Sequence, residues 1–458
     1  MSVEKSEPSR TDFSSSSDSI VHENIILAED ASVASDKKVE LVDPESLIDS
    51  TTPPAVGPPP NGGLMAWLQV LAGFFLFFNS WGIVNTFGVF QTYYRSDLLT
   101  SSSPSSISWI GSIQGFMVIN FSVILGPLVD RGHAKAIVFV GCFILAFGMM
   151  MTSLGHEYYQ ILLSQGFAMG IGCSCAFVSS VAVISSYFST RRAFAMGVCA
   201  SGSSLGGTIY PIMAHRLIPI IGFPWTIRAM GFMIFATTIM ASFLLKPRLP
   251  PSKRIAIVHL PSLRDPILMV FSCATLFGFA GMYVPIFYVQ AYAISQGVDS
   301  NLAFYLVSIL NAGSTFGRII PNFLADKIGP YNIILWCATC CTILIFSWTR
   351  ITSQSGLLAF CVIYGFCSGA FVSIPPACVA RITPDLSIIG SRLGLSFFIC
   401  GFGILIGTPV AGAILEITTT ENQYLGLQLF SGAMMTISLC FCLTAKLLVG
   451  KGKFFVKS

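Results

Sequence analysis

The sequence predicts an all-α polytopic membrane protein of twelve transmembrane helices in two six-helix halves. Composition, the lengths of the apolar runs and an internal repeat carry that reading. Of 458 residues, 53% are hydrophobic and only 10% charged, whereas a soluble domain carries roughly 25% Asp, Glu, Lys and Arg. A soluble globular enzyme is excluded, and the net charge of +4 speaks of membrane orientation, not of nucleic-acid affinity.

Residues 1–60 hold 12 acidic groups and four basic ones, Lys5, Arg10, Lys37 and Lys38, and end in the proline-rich TTPPAVGPPP. Such a segment cannot bury enough apolar area to offset ordering entropy and is expected to be a disordered cytoplasmic tail. It has no basic region followed by an apolar core, so the first span is expected to serve as an uncleaved insertion signal. The N-terminal half, 61–246, contains apolar runs at 64–90, 107–129, 134–154, 158–184, 193–215 and 224–246, each near the ~20 residues that cross a bilayer. A polar linker follows at 247–264. The C-terminal half, 265–449, repeats the count with runs at 266–292, 301–324, 331–349, 356–379, 391–415 and 424–449, leaving a short tail at 450–458.

Orientation is read from Lys and Arg, which are retained on the cytoplasmic side. With the N-terminus inside, twenty basic residues face the cytoplasm and four, Arg95, Arg216, Arg228 and Arg350, face outward. Both termini are therefore expected in the cytoplasm, with the plasma membrane as the expected location. All 14 cysteines lie between Cys142 and Cys442 in apolar stretches. They read as core filling; neither a disulfide framework nor a metal site is expected.

The halves repeat at an offset of roughly 200 residues. Arg192 and Arg392 each begin a span and are followed fifteen residues on by Gly-Thr, at Gly207/Thr208 and Gly407/Thr408. An acid followed by a base closes the second and the eighth span, at Asp130/Arg131 and Asp326/Lys327. Two such halves joined by a cytoplasmic linker resemble the major facilitator superfamily, and repeats of this kind place the substrate site between the halves near the midplane.

Shorter motifs sharpen the resemblance. NGGLMAW at 61–67 is similar to the D-G-G-x-x-W signature of the monocarboxylate transporter family, with Asn61 in place of the usual Asp. YFSTRRAFAMGVCASGSSLGG at 187–207 resembles that family's second signature, and SWGIVNTFGVFQTYY at 80–94 resembles its fungal branch. Gly202, Gly206 and Gly207 in the fifth span, and Gly403, Gly407 and Gly412 in the eleventh, offer small faces for close helix approach. Asp130, Arg131, Arg191, Arg192, Asp326 and Lys327 are the candidate gating charges, either as latches on the cytoplasmic side or as topology signals alone.

One charge lies inside a span. An isolated arginine there costs about 2.5 to 3.5 kcal/mol on insertion scales, so Arg318 is expected to face a cavity or a partner; the competing reading is that it snorkels to the interface. Asn311, Ser314, Arg318 and Asn322 are spaced i, i+3, i+7 and i+11 and share one helix face. The resemblance implies that this arginine binds a substrate carboxylate, to which a planar guanidinium fork is suited. Two residues depart from the family: Ser314 replaces an acid and Asn85 a lysine, which removes both familiar proton-coupling partners. Asn79, Asn85, Thr86, Gln114, Tyr283, Tyr288 and Tyr364 complete the candidate lining and suggest a roomy, amphipathic pocket. The expected function is transport of an organic anion by alternating access, with secondary-metabolite efflux as the alternative and a non-transporting sensor as a further one. The expected partners are a small organic substrate, a candidate coupling proton and the lipid bilayer, with no cofactor, no nucleic acid and no catalysis.

Overall fold

The computed structural model describes residues 57, 59–248, 260–383, 389–418 and 422–453. Nearly all of the expected N-terminal tail and most of the linker lie outside them. Every described element is helical, as uninterrupted apolar sequence requires when backbone groups find no water. The spans are α1 (Gly63–Leu98), α2 (Pro104–Leu128), α3 (Ala134–Thr152), α4 (Tyr158–Tyr187), α5 (192–221), α6 (223–244), α7 (Pro266–Ser295), α8 (Ser300–Ile328), α9 (Pro330–Trp348), α10 (Gln354–Arg381), α11 (Ile389–Ile417) and α12 (Leu425–Val449).

Two of these boundaries turn on a glycine at positive φ. Residues Arg192–Leu244 are continuously helical by hydrogen bonding, which as one rod would measure about 80 Å, well over twice a bilayer core of ~30 Å. Gly222, at φ 75°, breaks the rod, and the packing proves the reversal. Tyr210 of α5 and Thr237 and Thr238 of α6 all bond to Asn79 of α1, while Lys246 returns to Gln69 near the start of α1. Gly132, at φ 87°, turns α2 into α3 in the same way. Elsewhere helices start on side-chain caps: Ser103 for α2, Asp265 for α7, Asp299 for α8 and Ser353 for α10, each satisfying amides that no preceding turn can reach.

Within the first half α1 packs on α5, and α3 on α4 and α6; within the second, α7 packs on α11 and α12, α8 on α10, and α9 on α12. The two halves meet mainly along α2 against α11 and α5 against α8. Large apolar side chains such as Phe139, Phe143, Phe147, Phe232 and Ile343 point outward and are exposed, which suits a surface solvated by lipid.

Candidate functional site

The polar face of α8 is buried, not exposed at an interface: Asn311, Ser314, Arg318 and Asn322 are each at most 4% accessible. Small residues bring α8 and α10 together. A Cβ on Gly313 would stand 2.6 Å from the Val362 carbonyl oxygen, and one on Gly369 2.7 Å from that of Ser314, so only glycine permits this approach. In this arrangement Arg318 lies buried between helices and not at a lipid interface, which favours a cavity or partner over snorkelling.

The guanidinium of Arg318 donates from Nε to Ser314 Oγ at 3.3 Å and from Nη1 to the Ala200 carbonyl of α5 at 3.4 Å. Among the described residues no carboxylate lies within ion-pair distance of it. It borders a pocket of about 10 Å³ lined by Asn85 from α1, Tyr283 and Ile286 from α7, Leu310, Asn311 and Ser314 from α8, and Ser368, Gly369 and Val372 from α10. Asn85 precedes a loosened turn of α1 at Thr86, and irregular helix is tolerated at membrane depth where it lines a cavity. Where the sequence suggests a roomy pocket, the described residues around Arg318 leave a small one, with contacts between the halves on either side of it.

On the face that carries Asn61 and the start of α5, Asp326 Oδ2 accepts a hydrogen bond from the Phe194 amide at 3.2 Å. On the opposite face, Glu416 Oε1 accepts from the Ser105 amide at 2.8 Å, the Ser105 hydroxyl donates to the Pro409 carbonyl at 3.1 Å, Ser108 and Tyr288 share a hydrogen bond of 2.6 Å, and Ser112 pairs with Thr408. A buried polar site sealed between two pseudo-repeated halves is the arrangement of an alternating-access carrier.

A model of the Major Facilitator Superfamily matches residues 69–408. The chain belongs to that superfamily. Its relatives include the MFS-type transporter dbaD of Emericella nidulans, 43% identical over 379 residues, 82% of this chain and 85% of the relative. The Agnestins efflux protein AgnL12 of Paecilomyces divaricatus is 37% identical over 412 residues, 90% and 94% of the two chains, and the Aspyridones efflux protein apdF of Emericella nidulans 36% over 412 residues, 89% and 84%. The protein is a major facilitator transporter embedded in a membrane.

Of the lining residues expected in this transporter, Arg318, Ser314, Asn311, Asn85 and Tyr283 meet at the pocket. The others have different employment. Asn79 is held by Tyr210, Thr237 and Thr238 inside the first half; Thr86 donates to the Gly82 carbonyl; Tyr364 donates to the Met282 carbonyl; Tyr288 belongs to the α2–α11 seam. Gln114 is fully buried on α2 beside Cys173 and does not line the pocket. On α10 the sequence reading chose Tyr364, whereas the pocket wall is Ser368, Gly369 and Val372, although the glycines of α10 at 365 and 369 carry the same small-residue signal as those of α5.

The expected arginine latches also fall out differently. Arg131 and Arg191 are exposed, and Arg192 donates to the Phe188 and Ser185 carbonyls at the end of α4. Asp130 is exposed at the α2–α3 turn, and the ammonium of Lys327 sits 4.4 Å from the ring of Phe323. Of the six gating charges, Asp326 alone has a hydrogen bond across the halves among those described. Gly202 and Gly206 pack on α1, and Gly403 and Gly407 on α7, inside their own halves, whereas Gly207 faces Asn311 of α8 and Gly412 faces Ser105 of α2. Only the latter two lie where the halves slide.

Proposed function

We propose that this transporter exports an organic anion by alternating access, with Arg318 as the anion's counter-charge. The observation that carries the reading is a buried guanidinium, without a carboxylate partner among the described residues, in a pocket to which both halves contribute. Burial of an unpaired charge is costly, and a carboxylate arriving between the halves removes that cost while the site is occluded. Asn85, Asn311, Ser314 and Tyr283 supply further polar contacts to such a ligand. The resemblance of the two signatures to the monocarboxylate transporter family supports the same chemistry. Export is favoured because two relatives are named as efflux proteins. The location we assign is the plasma membrane, with both termini cytoplasmic.

The test is retention of labelled carboxylates by cells expressing the protein or R318Q at equal surface levels. Lower retention with the wild type alone supports the reading; equal retention across a panel of aromatic and aliphatic carboxylates sinks it.

A further inference from the structure

Among the described residues, no carboxylate lies within the body of a span. Asp97 closes α1, Asp265 and Asp299 cap the starts of α7 and α8, and Asp326 and Glu416 end α8 and α11. Asp130 and Glu157 stand at the turns before α3 and α4, and Asp385 and Glu421 lie between helices outside the described residues. His133 and His156 lie at turns, His259 precedes α7, and His215, within α5, stacks on Phe304 of α8 at the seam between the halves. Around Arg318, the polar lining consists of Asn85, Asn311, Ser314, Ser368 and Tyr283. The amides and hydroxyls do not ionise, the phenol starts from a pKa of ~10, and the guanidinium keeps its proton.

We propose that the transporter carries its substrate as a bare anion, one negative charge per cycle, so that the membrane potential and not a proton gradient drives export. This rests on the anion reading above. A proton relayed with the substrate needs a group at the pocket that gains it on one side and loses it on the other; Asp326, Glu416 and His215 stand at the seam outside the pocket, whose lining offers no such group. The charge balance follows from Arg318. Loaded, the site holds a guanidinium and an anion and is neutral as it reorients; empty, it returns with one positive charge. The sum is one negative charge moved outward. An inside-negative potential acts on the empty leg alone, drawing the unpaired cation back inward, and leaves the neutral loaded leg unaffected. At equilibrium the anion's outside-to-inside ratio rises about 50-fold per 100 mV, which also gives the cycle its direction.

The full-length protein in liposomes loaded with radiolabelled benzoate, cinnamate, nicotinate or lactate tests this. The first arm measures exchange of internal label against the same external anion at zero potential, with R318Q vesicles as the background. The second arm imposes 100 mV, inside negative, by a potassium gradient with valinomycin, and separately a pH step of one unit at clamped zero potential. The steady external-to-internal ratio above background is expected to rise about 50-fold with the potential and to change less than about twofold with the pH step. A ratio that ignores potential and follows pH about tenfold per unit, or exchange without net efflux, overturns the proposal while leaving the anion reading intact. Absence of Arg318-dependent exchange for every anion in the first arm overturns that reading, and the inference with it.

Discussion

Asp326 Oδ2 accepts a hydrogen bond from the Phe194 amide at 3.2 Å and ties the end of α8 to the first turn of α5 across the two halves. A carboxylate at a helix N-terminus meets unsatisfied amides and the positive end of the helix dipole, worth about 0.3–1 kcal/mol when exposed. Glu416 does the same to the start of α2 on the opposite face, through Ser105. Each face of the closed transporter thus carries a carboxylate from the second half seated on a helix start of the first.

Asp326→Ala should release the first of these contacts. A loss of about 1 kcal/mol raises the population open on that face by about fivefold. Spin labels at Arg191 and Lys327, both exposed beside the contact, report it as a growing long-distance component in pulsed electron resonance. An unchanged distance distribution would show that Asp326 does not hold this face shut.

The opposite face can be locked covalently. Ser112 and Thr408 face each other across α2 and α11, so Ser112→Cys with Thr408→Cys should form a disulfide on mild oxidation. Transport is expected to stop on oxidation and to return on reduction, with both single variants unaffected. Full transport by the cross-linked protein contradicts the assignment of this seam as a gate.

Two glycines separate packing from gating. A methyl group at Gly202 meets the Phe74 backbone, which cannot move without shifting α1, so Gly202→Ala should cut folded protein sharply. At Gly207 the obstacle is the Asn311 side chain at 2.7 Å, which can rotate. Gly207→Ala should keep near-normal surface abundance and lose transport, measured per molecule at the surface. Equal abundance of the two variants refutes the distinction.

Asn61 accepts from the Ser189 amide at 2.7 Å, the Ser189 hydroxyl at 3.0 Å and the Thr190 amide at 3.0 Å. These three bonds need only a side-chain oxygen, which Asn and Asp both supply, while Asn61 Nδ2 adds a donor to the Pro59 carbonyl at 3.1 Å. Asn61→Asp keeps the three accepted bonds and loses the donor to Pro59, so it should lower thermal stability in detergent by less than Asn61→Ala, which should lower it by about 1–2 kcal/mol. Loss with Asp equal to that with Ala removes this account of the motif.

The fold was legible because span length and apolarity are local properties: every apolar run read from the sequence is a helix. Residues 192–246 read as two apolar runs, 193–215 and 224–246, and the structure breaks the helix between them at Gly222. The α8 face was legible for the same reason, since the spacing of Asn311, Ser314, Arg318 and Asn322 fixes a shared face without knowledge of neighbours. What periodicity does not encode is which helix that face meets. Asn79 and Asn85 are six residues apart on α1, yet one is consumed by α5 and α6 while the other reaches the pocket. The gates were legible only in part for a related reason: Asp326 stands among the expected charges, but the contacts formed use backbone amides of Phe194 and Ser105, which no side-chain pattern reveals.

The central claim is that Arg318 is the anion's counter-charge, and transport by Arg318→Gln at matched surface expression tests it most directly. Glutamine keeps hydrogen bonding and removes the charge; insertion should survive, because an uncharged side chain is easier to bury, and carboxylate transport should fall to background. Arg318→Lys should also fail substantially, since an ammonium cannot present two parallel donors to one carboxylate. Wild-type carboxylate transport by Arg318→Gln would contradict the account and leave the arginine a structural tie to the Ala200 carbonyl.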